Sequence, residues 1–209
     1  MTRIEQLIST YPELDVCTAD IQAAFEALRA CFRGSGKVLT CGNGGSAADA
    51  EHIVGELMKG YLLKRPVPED IRSRLVSTSS QDGDYLARHL QGGLPAISLV
   101  SQTSLLSAIA NDTAADMGYA QQVYAYGKEG DALIGISTSG NARNVIHAIE
   151  VACALGLRTI GLTGATGGAL KPLCDVCICV PAENTPAIQE RHLPIFHVLC
   201  AMLEEEFFA

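Results

Sequence analysis

Positive charge is scarce in this sequence, in which 15 Lys and Arg residues stand against 23 Asp and Glu residues and the net charge is -8. Nucleic-acid-binding proteins hold the phosphate backbone with clustered Lys and Arg, so this balance argues against a nucleic-acid surface. No apolar run is long enough to span a membrane, and residues 1–5 lack the pattern of a secretory signal. We therefore expect a cytoplasmic protein with no nucleic-acid or membrane partner.

Nucleotide-binding and zinc-ribbon motifs are also missing. There is no G-x-x-x-x-G-K-[ST] sequence, and segment 42–46 does not complete G-x-G-x-x-G because Ala47 occupies the last glycine position. Cys174 and Cys177 form a C-x-x-C pair without a second one. Without an export signal, the eight cysteines are expected to be reduced and to pack as small apolar residues.

The composition is that of a packed globular chain, with 48% hydrophobic and 18% charged residues among 209. A chain of this length forms one domain, which we take as residues 1–209. Five β-rich runs are almost continuously apolar, as in parallel strands that are covered on both faces. The five runs are Lys37–Cys41, Ala96–Val100, Ala132–Ile136, Arg158–Leu162 and Val176–Val180.

Helical spacing of apolar residues falls between most of these runs, which predicts an α/β fold with a doubly wound, five-stranded parallel sheet. Further helices are expected at about Asp20–Phe32 and Ala187–Phe208. Pro194 interrupts the second of these, so a kink or a helix restarting near Leu193 is expected. Segment 66–93 fits neither pattern beyond a short amphipathic stretch at Tyr85–Leu90, and is interpreted as a solvated insertion or an active-site lid. The helical runs between the strands are Ser46–Gly60, Thr103–Ala110, Ala114–Tyr126 and Ala142–Leu155.

Glycine- and serine-rich loops follow three of the strands. Ligands of open α/β sheets bind beyond the carboxyl ends of the strands, where free backbone N–H groups and helix N-termini favour an anion. Hydroxyl groups at Ser137, Thr138 and Ser139 can donate to phosphate oxygens without adding charge. We therefore expect a phosphate site formed by loops 42–46 and 137–141, with loop 163–168 nearby.

A second set of polar residues is suited to metal or acid–base chemistry. His52 and Glu56 lie four residues apart, so both project from one face of a helix, where they can share a divalent metal. Gln189 and His197 lie eight apart on the last helix, but Pro194 disturbs their expected geometry. From the residues alone, His192 and Glu190 stay open as alternatives.

In chain order, these motifs resemble those of the phosphoheptose isomerases of the sugar isomerase (SIS) fold. The resemblance covers most of the chain, with segment 66–93 as the exception. It rests on the sequences C-G-N-G-G-S-A-A-D-A at 41–50, His52, Glu56-Leu57, A-N-D at 110–112, G-I-S-T-S-G-N at 135–141, I-Q-E at 188–190 and His197.

The resemblance implies a flavodoxin-like SIS domain, a homotetramer with shared sites, and interconversion of sedoheptulose 7-phosphate and a heptose 7-phosphate. It implies that Glu56 and His197 are the acid–base pair. It implies a zinc ion held by His52, Glu56, Gln189 and His197. The substrate contacts that it implies are Asn43, Gly44, Gly45, Ser46, Asn111, Asp112, Ser137, Thr138, Ser139 and Gln189.

This chain departs from the family pattern at three places. Ala142 stands where another phosphate-binding serine is usual, an arginine expected after the Glu56 helix is replaced around Lys59-Gly60, and segment 66–93 is added. Two other readings stay open: an isomerase or lyase for another phosphosugar, or a non-catalytic SIS protein that binds a protein partner, as the factor that associates with the replication initiator DnaA does. That relative lacks the glutamate and the last histidine, both of which are present here.

Overall fold

A computed structural model describes residues 1–209 as a parallel sheet covered by helices on both faces. Short 3-10 turns occur at Pro12–Cys17, Ala115–Met117 and Gly168–Leu170. The strands are β1 (Val38–Gly42), β2 (Ala96–Ser98), β3 (Ala132–Ile136), β4 (Arg158–Thr163) and β5 (Val176–Cys179). The helices are α1 (Arg3–Thr10), α2 (Thr18–Arg33), α3 (Gly45–Met58), α4 (Glu69–Thr78), α5 (Gly83–His89), α6 (Thr103–Asp112), α7 (Gly118–Tyr126), α8 (Arg143–Ala154) and α9 (Thr185–Phe208).

The five strands are all parallel and lie in the order β2-β1-β3-β4-β5, which confirms the predicted doubly wound sheet. Strands β1 and β3 are buried along their whole length, and their register pairs Gly42 with Ile136 at the carboxyl ends. The order reverses between β1 and β3, so this pair forms the switch point at which ligands of such sheets bind.

Two apolar clusters flank the sheet. The larger one joins α1, α2, α3 and α9 to one face and includes Phe25, Leu57 and Phe196. The smaller one joins α7 and α8 to the other face, around Leu133 and Ile149. Because the inner strands are covered on both sides, their runs are almost continuously apolar, and this is why the strands were recognisable in the sequence. None of the helices combines the length and apolar character that a membrane span requires.

Helix α9 extends without a break from Thr185 to Phe208 and contains Pro194. The expected restart near Leu193 is therefore wrong. The ring of Pro194 removes one backbone donor, but apolar side chains on both sides of it, Ile188, Ile195 and Phe196, stay buried against the sheet. Packing of one continuous apolar face outweighs the loss of a single hydrogen bond.

Segment 66–93 forms a helical hairpin of α4 and α5, although α4 was not recognised in the sequence. The hairpin is closed at its base by the bridge between Pro66 and Gln91 and by a hydrogen bond of 2.6 Å from Gly92 N–H to the Arg65 carbonyl. The two helices pack mainly on each other, and α4 has no buried residue. Without a buried face, α4 lacks the periodic apolar pattern that identifies a helix in a sequence.

All eight cysteines are free thiols. Cys17, Cys31, Cys41 and Cys200 are buried as small apolar residues. Strand β5 is at the edge of the sheet and is less covered than predicted, so its cysteines are only half-buried. Edge strands lack a neighbour on one side, which explains the greater exposure.

A fully buried ion pair joins α9 to the segment after α3. Glu204 accepts hydrogen bonds from the backbone N–H groups of Tyr61, Leu62 and Leu63 at 2.7, 2.7 and 3.0 Å. It also accepts one from Arg65 Nε at 2.7 Å. Both side chains of the pair are inaccessible to solvent.

Arg65 completes the connection to α3. It donates to the carbonyl of Leu57 at 2.7 Å and to that of Glu56 at 3.1 Å. These carbonyls belong to the last turn of α3, where they have no partner within the helix. The ion pair therefore fixes the end of α3 and the turn that follows it on α9.

We predict that Glu204→Gln lowers the free energy of unfolding by about 3–5 kcal/mol, because it leaves Arg65 buried without a counter-charge. Urea unfolding followed by circular dichroism measures this change. The control is Glu205→Gln, which removes a partly exposed ion pair with Arg3 and should cost about 1 kcal/mol or less. Equal losses in the two variants would contradict the prediction.

The Glu204 carboxyl should also make the stability of the fold depend on pH. Burial alone would raise the pKa of Glu204, but hydrogen bonds from Tyr61 and Leu62 N–H and from Arg65 bring it below its ordinary value of 4.5. A carboxyl with a lowered folded-state pKa stabilises the fold fully above the unfolded pKa, and this stabilisation is lost as the pH falls through the folded value. The difference in stability between wild type and Glu204→Gln should therefore shrink below pH 4.5.

Candidate functional site

A polar pocket lies beyond the carboxyl ends of β1 and β3, at the switch point of the sheet. The loop between β1 and α3 forms one wall, the loop between β3 and α8 forms another, and the start of α9 closes the third side. Most of the residues predicted for phosphate and substrate contact meet here. The lining residues are Asn43, Gly44, Gly45, Ser46, Ile136, Ser137, Thr138, Ser139, Ala142, Thr185 and Gln189.

Backbone donors and helix ends give this pocket its affinity for an anion. The backbone N–H groups of Gly44, Gly45, Thr138 and Ser139 donate to no group within the chain. Helices α3 and α8 both begin at the pocket, and neither has a side-chain N-cap. Free N–H groups and the positive end of the helix dipole together favour a phosphate. No Lys or Arg lines the pocket, so the donors are neutral.

The loop after β4 supports the pocket from behind. Gly164 N–H donates to the Thr138 carbonyl, and Leu170 N–H donates to the Gly140 carbonyl, both at 3.0 Å. Gly140 has a positive φ of 67°, and a side chain there would collide with the backbone of Gly167. These contacts hold the 137–141 loop against loop 163–168, and they explain why glycine occupies position 140.

Helices α3 and α9 pack side by side in parallel and divide the predicted residues between two levels. At the first level, Gln189 lies against Gly45 and lines the pocket. At the second level, His52 Nε2 is 3.4 Å from His197 Nε2. Seven residues separate Gly45 from His52, which is about 10 Å along the helix.

The second level is a cluster of two imidazoles and one carboxylate, which we call the His52 cluster: His52, Glu56 and His197. His52 Nε2 is 3.1 Å from Glu56 Oε1, so it lies between the other two members. The second oxygen of Glu56 is 3.3 Å from Lys59 Nζ. The predicted i,i+4 arrangement of His52 and Glu56 is therefore present in the structure.

Aromatic neighbours shape the electrostatics of the His52 cluster. The ring of Phe196 packs edge-on against both imidazoles, and Tyr61 lies with its centroid 5.7 Å from that of His197. Burial lowers the pKa of His197, the neighbouring His52 lowers it further, and Glu56 opposes them. His197 is therefore held in its neutral form, in which imidazole binds metals and accepts protons.

Of the four residues predicted as zinc ligands, His52, Glu56 and His197 lie at the His52 cluster. Gln189 lines the pocket and precedes His197 by eight residues, an axial rise of about 12 Å along α9. No group of three or more His, Cys, Asp or Glu side chains is arranged as a ready metal site.

Two predicted substrate contacts and one alternative site residue lie away from the pocket. Asn111 and Asp112 do not line the pocket; they lie at the end of α6 and bond to each other at 2.7 Å. His192 faces away from the site, and its Nε2 donates to the Thr163 carbonyl at 3.2 Å. Burial lowers the pKa of His192 to about 4, which fits a neutral core residue.

Sequence reasoning missed several residues of the site. Thr185 lines the pocket, and Asn144 hydrogen-bonds to Asn43 from the first turn of α8. Asp49 lies one turn before His52 and has one buried carboxylate oxygen without a partner. Burial raises the pKa of Asp49 to about 6, against the opposing charge of His52. Its helical spacing of three from His52 was the one signal available for it.

Comparison with known proteins identifies the family of this chain. The family model described as SIS domain matches residues 6–91 and 85–164. The phosphoheptose isomerase of Aneurinibacillus thermoaerophilus is 42% identical over 187 residues, which are 90% of this chain and 81% of that protein. This chain belongs to the phosphoheptose isomerase family of SIS-domain proteins.

Solved structures of the family extend the match to nearly the whole fold. The phosphoheptose isomerase of Francisella tularensis superimposes with a TM-score of 0.74 at 29% identity, covering 98% of this chain and all of that one. That of Neisseria gonorrhoeae gives a TM-score of 0.70 at 32% identity over 97% and 99% of the two chains. Like these relatives, the chain is a sugar-phosphate isomerase.

We predict that Gly45→Ala weakens sugar-phosphate binding without unfolding the protein. A methyl group on Gly45 would collide with the amide of Gln189, the movable end of a flexible side chain, so the amide is displaced and the backbone is not. Isothermal calorimetry should show an affinity loss of roughly tenfold, equivalent to about 1.4 kcal/mol.

Gly55→Ala is the matched control, because a methyl group at that position of the same helix meets open space. It should bind sugar phosphate as wild type does. Wild-type affinity in Gly45→Ala would show that Gln189 does not contribute from its observed position.

Proposed function

We propose that the chain interconverts sedoheptulose 7-phosphate and D-glycero-D-manno-heptose 7-phosphate through an enediol. The observation that carries the proposal is the separation of two sites along α3 and α9. The phosphate pocket lies at Gly45 and Gln189, and the His52 cluster lies about 10 Å further along the same helices. An extended seven-carbon sugar with a terminal phosphate ester matches this distance.

The phosphate end of the substrate binds through Ser137, Thr138 and Ser139 and through the free N–H groups of the two loops. Ala142 lines the pocket without adding a hydroxyl, which leaves the backbone N–H groups a larger share of the binding. Neutral donors bind a phosphate monoester reversibly, as a metabolic enzyme requires for product release.

The reaction moves one proton between adjacent carbons and another between the oxygens attached to them. We assign the carbon proton to Glu56, which removes it from C1 of the ketose and returns it to C2. We assign the oxygen proton to His197, whose lowered pKa leaves a neutral ring that gives its N–H proton to the carbonyl oxygen at C2 and recovers one from the hydroxyl oxygen at C1.

Zinc is proposed as the cofactor on the chemistry of the His52 cluster. Two imidazoles and a carboxylate are zinc ligands, and the His52–His197 nitrogen separation of 3.4 Å suits tetrahedral coordination, in which ligand nitrogens stand about 3.4 Å apart. When bound, a zinc ion would polarise the carbonyl and stabilise the negative charge of the enediolate.

His197 and Glu56 each have a second polar atom that can contact the substrate. His197 uses Nε2 toward His52, while its Nδ1 makes no hydrogen bond within the chain. Glu56 has one oxygen toward His52 and the other toward the exposed Lys59, which substrate can displace. Glu56 can therefore hold a ligand through one oxygen and move a proton through the other. A neutral imidazole has one lone pair, so with Nε2 on a metal His197 would act through the hydrogen on Nδ1, which it gives up and then recovers.

A homotetramer with shared sites is proposed for this chain as well, and Asn111 and Asp112 support it. The family resemblance makes them substrate contacts, yet they do not line the pocket of their own chain. A second copy would have to bring them to the site. A monomer would then be inactive, because its own Asn111 and Asp112 do not reach its pocket. The active species would be an oligomer.

We predict that the purified protein isomerises sedoheptulose 7-phosphate and that Glu56→Gln removes turnover while leaving binding within about threefold of wild type. The amide keeps the shape of the carboxylate but cannot take a proton, so the rate should fall at least about a thousandfold. Turnover is followed by proton exchange at C1 and C2 in nuclear magnetic resonance.

Glu51→Gln, on the exposed side of the same helix, serves as the control and should turn over normally. Full activity in Glu56→Gln would exclude Glu56 as the base. No conversion of this substrate by zinc-loaded wild type would favour another phosphosugar or a binding role.

We predict that His52→Ala abolishes stoichiometric zinc binding, because His52 lies between the other two donors. Zinc content is measured by mass spectrometry after dialysis and gel filtration. His89→Ala removes an exposed histidine that stacks on Tyr85 in the hairpin, and it should leave the zinc content unchanged. Retention of one zinc per chain in His52→Ala would refute this ligand assignment.

A further inference from the structure

Two asparagines connect the loops that form the phosphate pocket. Asn43 follows β1, and Asn144 lies in the first turn of α8. Asn43 Nδ2 donates to Asn144 Oδ1, and Asn144 Nδ2 donates to Asn43 Oδ1, both at 2.9 Å. Asn43 lines the pocket, whereas Asn144 does not. The side-chain contact between Asn144 and the pocket lining is therefore the one to Asn43.

The orientation of both amides is determined by one backbone group. The N–H of Val145 donates to Asn144 Oδ1 at 3.0 Å. A backbone N–H can only donate, so the atom it faces must be the amide oxygen. Because Asn144 Oδ1 is an acceptor, the Asn43 atom that faces it must be the donor Nδ2. Asn43 Oδ1 is consequently turned toward Asn144 Nδ2, and the reverse orientation is excluded.

A count of donors and acceptors shows what Asn43 can offer to a ligand. An amide oxygen accepts two hydrogen bonds, and an amide nitrogen donates two. Asn43 Oδ1 accepts from Asn144 Nδ2 at 2.9 Å, which fixes this oxygen toward Asn144, while the nearby Tyr119 hydroxyl gives its single hydrogen to the Gly42 carbonyl at 2.6 Å. One N–H of Asn43 is used by Asn144, and the other has no partner in the chain.

We infer that Asn144 is a positioning residue that makes Asn43 a dedicated hydrogen-bond donor to an acceptor oxygen of the substrate. The inference rests on the proposed function, because it places the substrate in the pocket that Asn43 lines. The acceptor is an oxygen of the phosphate or of the sugar. Without Asn144, the Asn43 amide rotates freely and presents its oxygen to that acceptor as often as its nitrogen.

A double-mutant cycle tests the inference. Asn144→Ala should lower kcat/KM roughly tenfold to a hundredfold, as expected when a binding group is misplaced. In an Asn43→Ala background, the same change should have less than a twofold effect, because Asn144 then has no amide to orient. If the two losses multiply in the double variant, Asn144 acts independently and the inference is overturned.

A second variant separates positioning from support of the fold. Asn144→Asp keeps an acceptor for the Val145 N–H and places a negative charge in the first turn of α8, which favours the helix. One carboxylate oxygen still accepts from Asn43 Nδ2, but the other replaces the N–H opposite Asn43 Oδ1 and repels that oxygen, so the reciprocal pair is broken. Its unfolding midpoint should equal or exceed that of wild type, while kcat/KM falls at least tenfold.

Wild-type kcat/KM in Asn144→Asp would overturn the inference even if Asn144→Ala proved too unstable to assay. The direct effect of the added negative charge on the substrate is measured by combining Asn144→Asp with Asn43→Ala. A further loss there of more than twofold would mean that the carboxylate acts on the substrate directly, and this also overturns the positioning role.

Binding measurements identify the acceptor and separate this inference from the proposed function. If Asn144→Ala weakens inorganic phosphate binding tenfold, the acceptor is a phosphate oxygen; if only sedoheptulose 7-phosphate is affected, it is a sugar oxygen. An inert wild type would refute the proposed function alone, and the cycle is then run on the dissociation constants of these two ligands. A wild type that binds neither would overturn both.

Discussion

A carboxylate without access to solvent holds the structure together at the end of α3. Glu204 gathers three consecutive backbone N–H groups and the Arg65 guanidinium, while Arg65 binds two carbonyls at the end of α3. Burying two charges is costly, and such a pair persists where its members satisfy each other and their neighbours. Here every donor and acceptor belongs to the α3–α9 junction, so the pair specifies how these two helices meet.

The alignment of the site residues on α3 with those on α9 follows from that junction. Three contacts define a parallel alignment: Gly45 with Gln189, His52 with His197, and the end of α3 with Glu204 through Arg65. A shift of either helix by one residue would rotate its side chains by 100° and separate the imidazoles. The site thus depends on a structural pair that does not line the pocket.

The functional site combines two kinds of physical chemistry. At the switch point of the sheet, backbone N–H groups, hydroxyls and two helix ends form a neutral anion site. Further along the helices, His52 and His197 lie beside aromatic rings, and burial lowers the pKa of His197 and raises that of Asp49. Keeping the phosphate away from the titratable groups avoids placing its negative charge beside the proposed base, whose ionised form is needed for proton removal.

Sequence patterns alone determined the strands, the switch-point loops and the His52–Glu56 pair, because each depends on local spacing: continuous burial, turn chemistry, or one turn of helix. Tertiary structure decided the rest. The sequence could not show that α9 continues through Pro194, that Gln189 and His197 lie at different levels, or that Asn144 orients Asn43 from 101 positions away. Nothing in the sequence marks Glu204 and Arg65 as a buried pair, because charged residues are buried only when paired and pairing between distant positions leaves no local pattern. These contacts exist only once the sheet has brought α3, α8 and α9 to one edge.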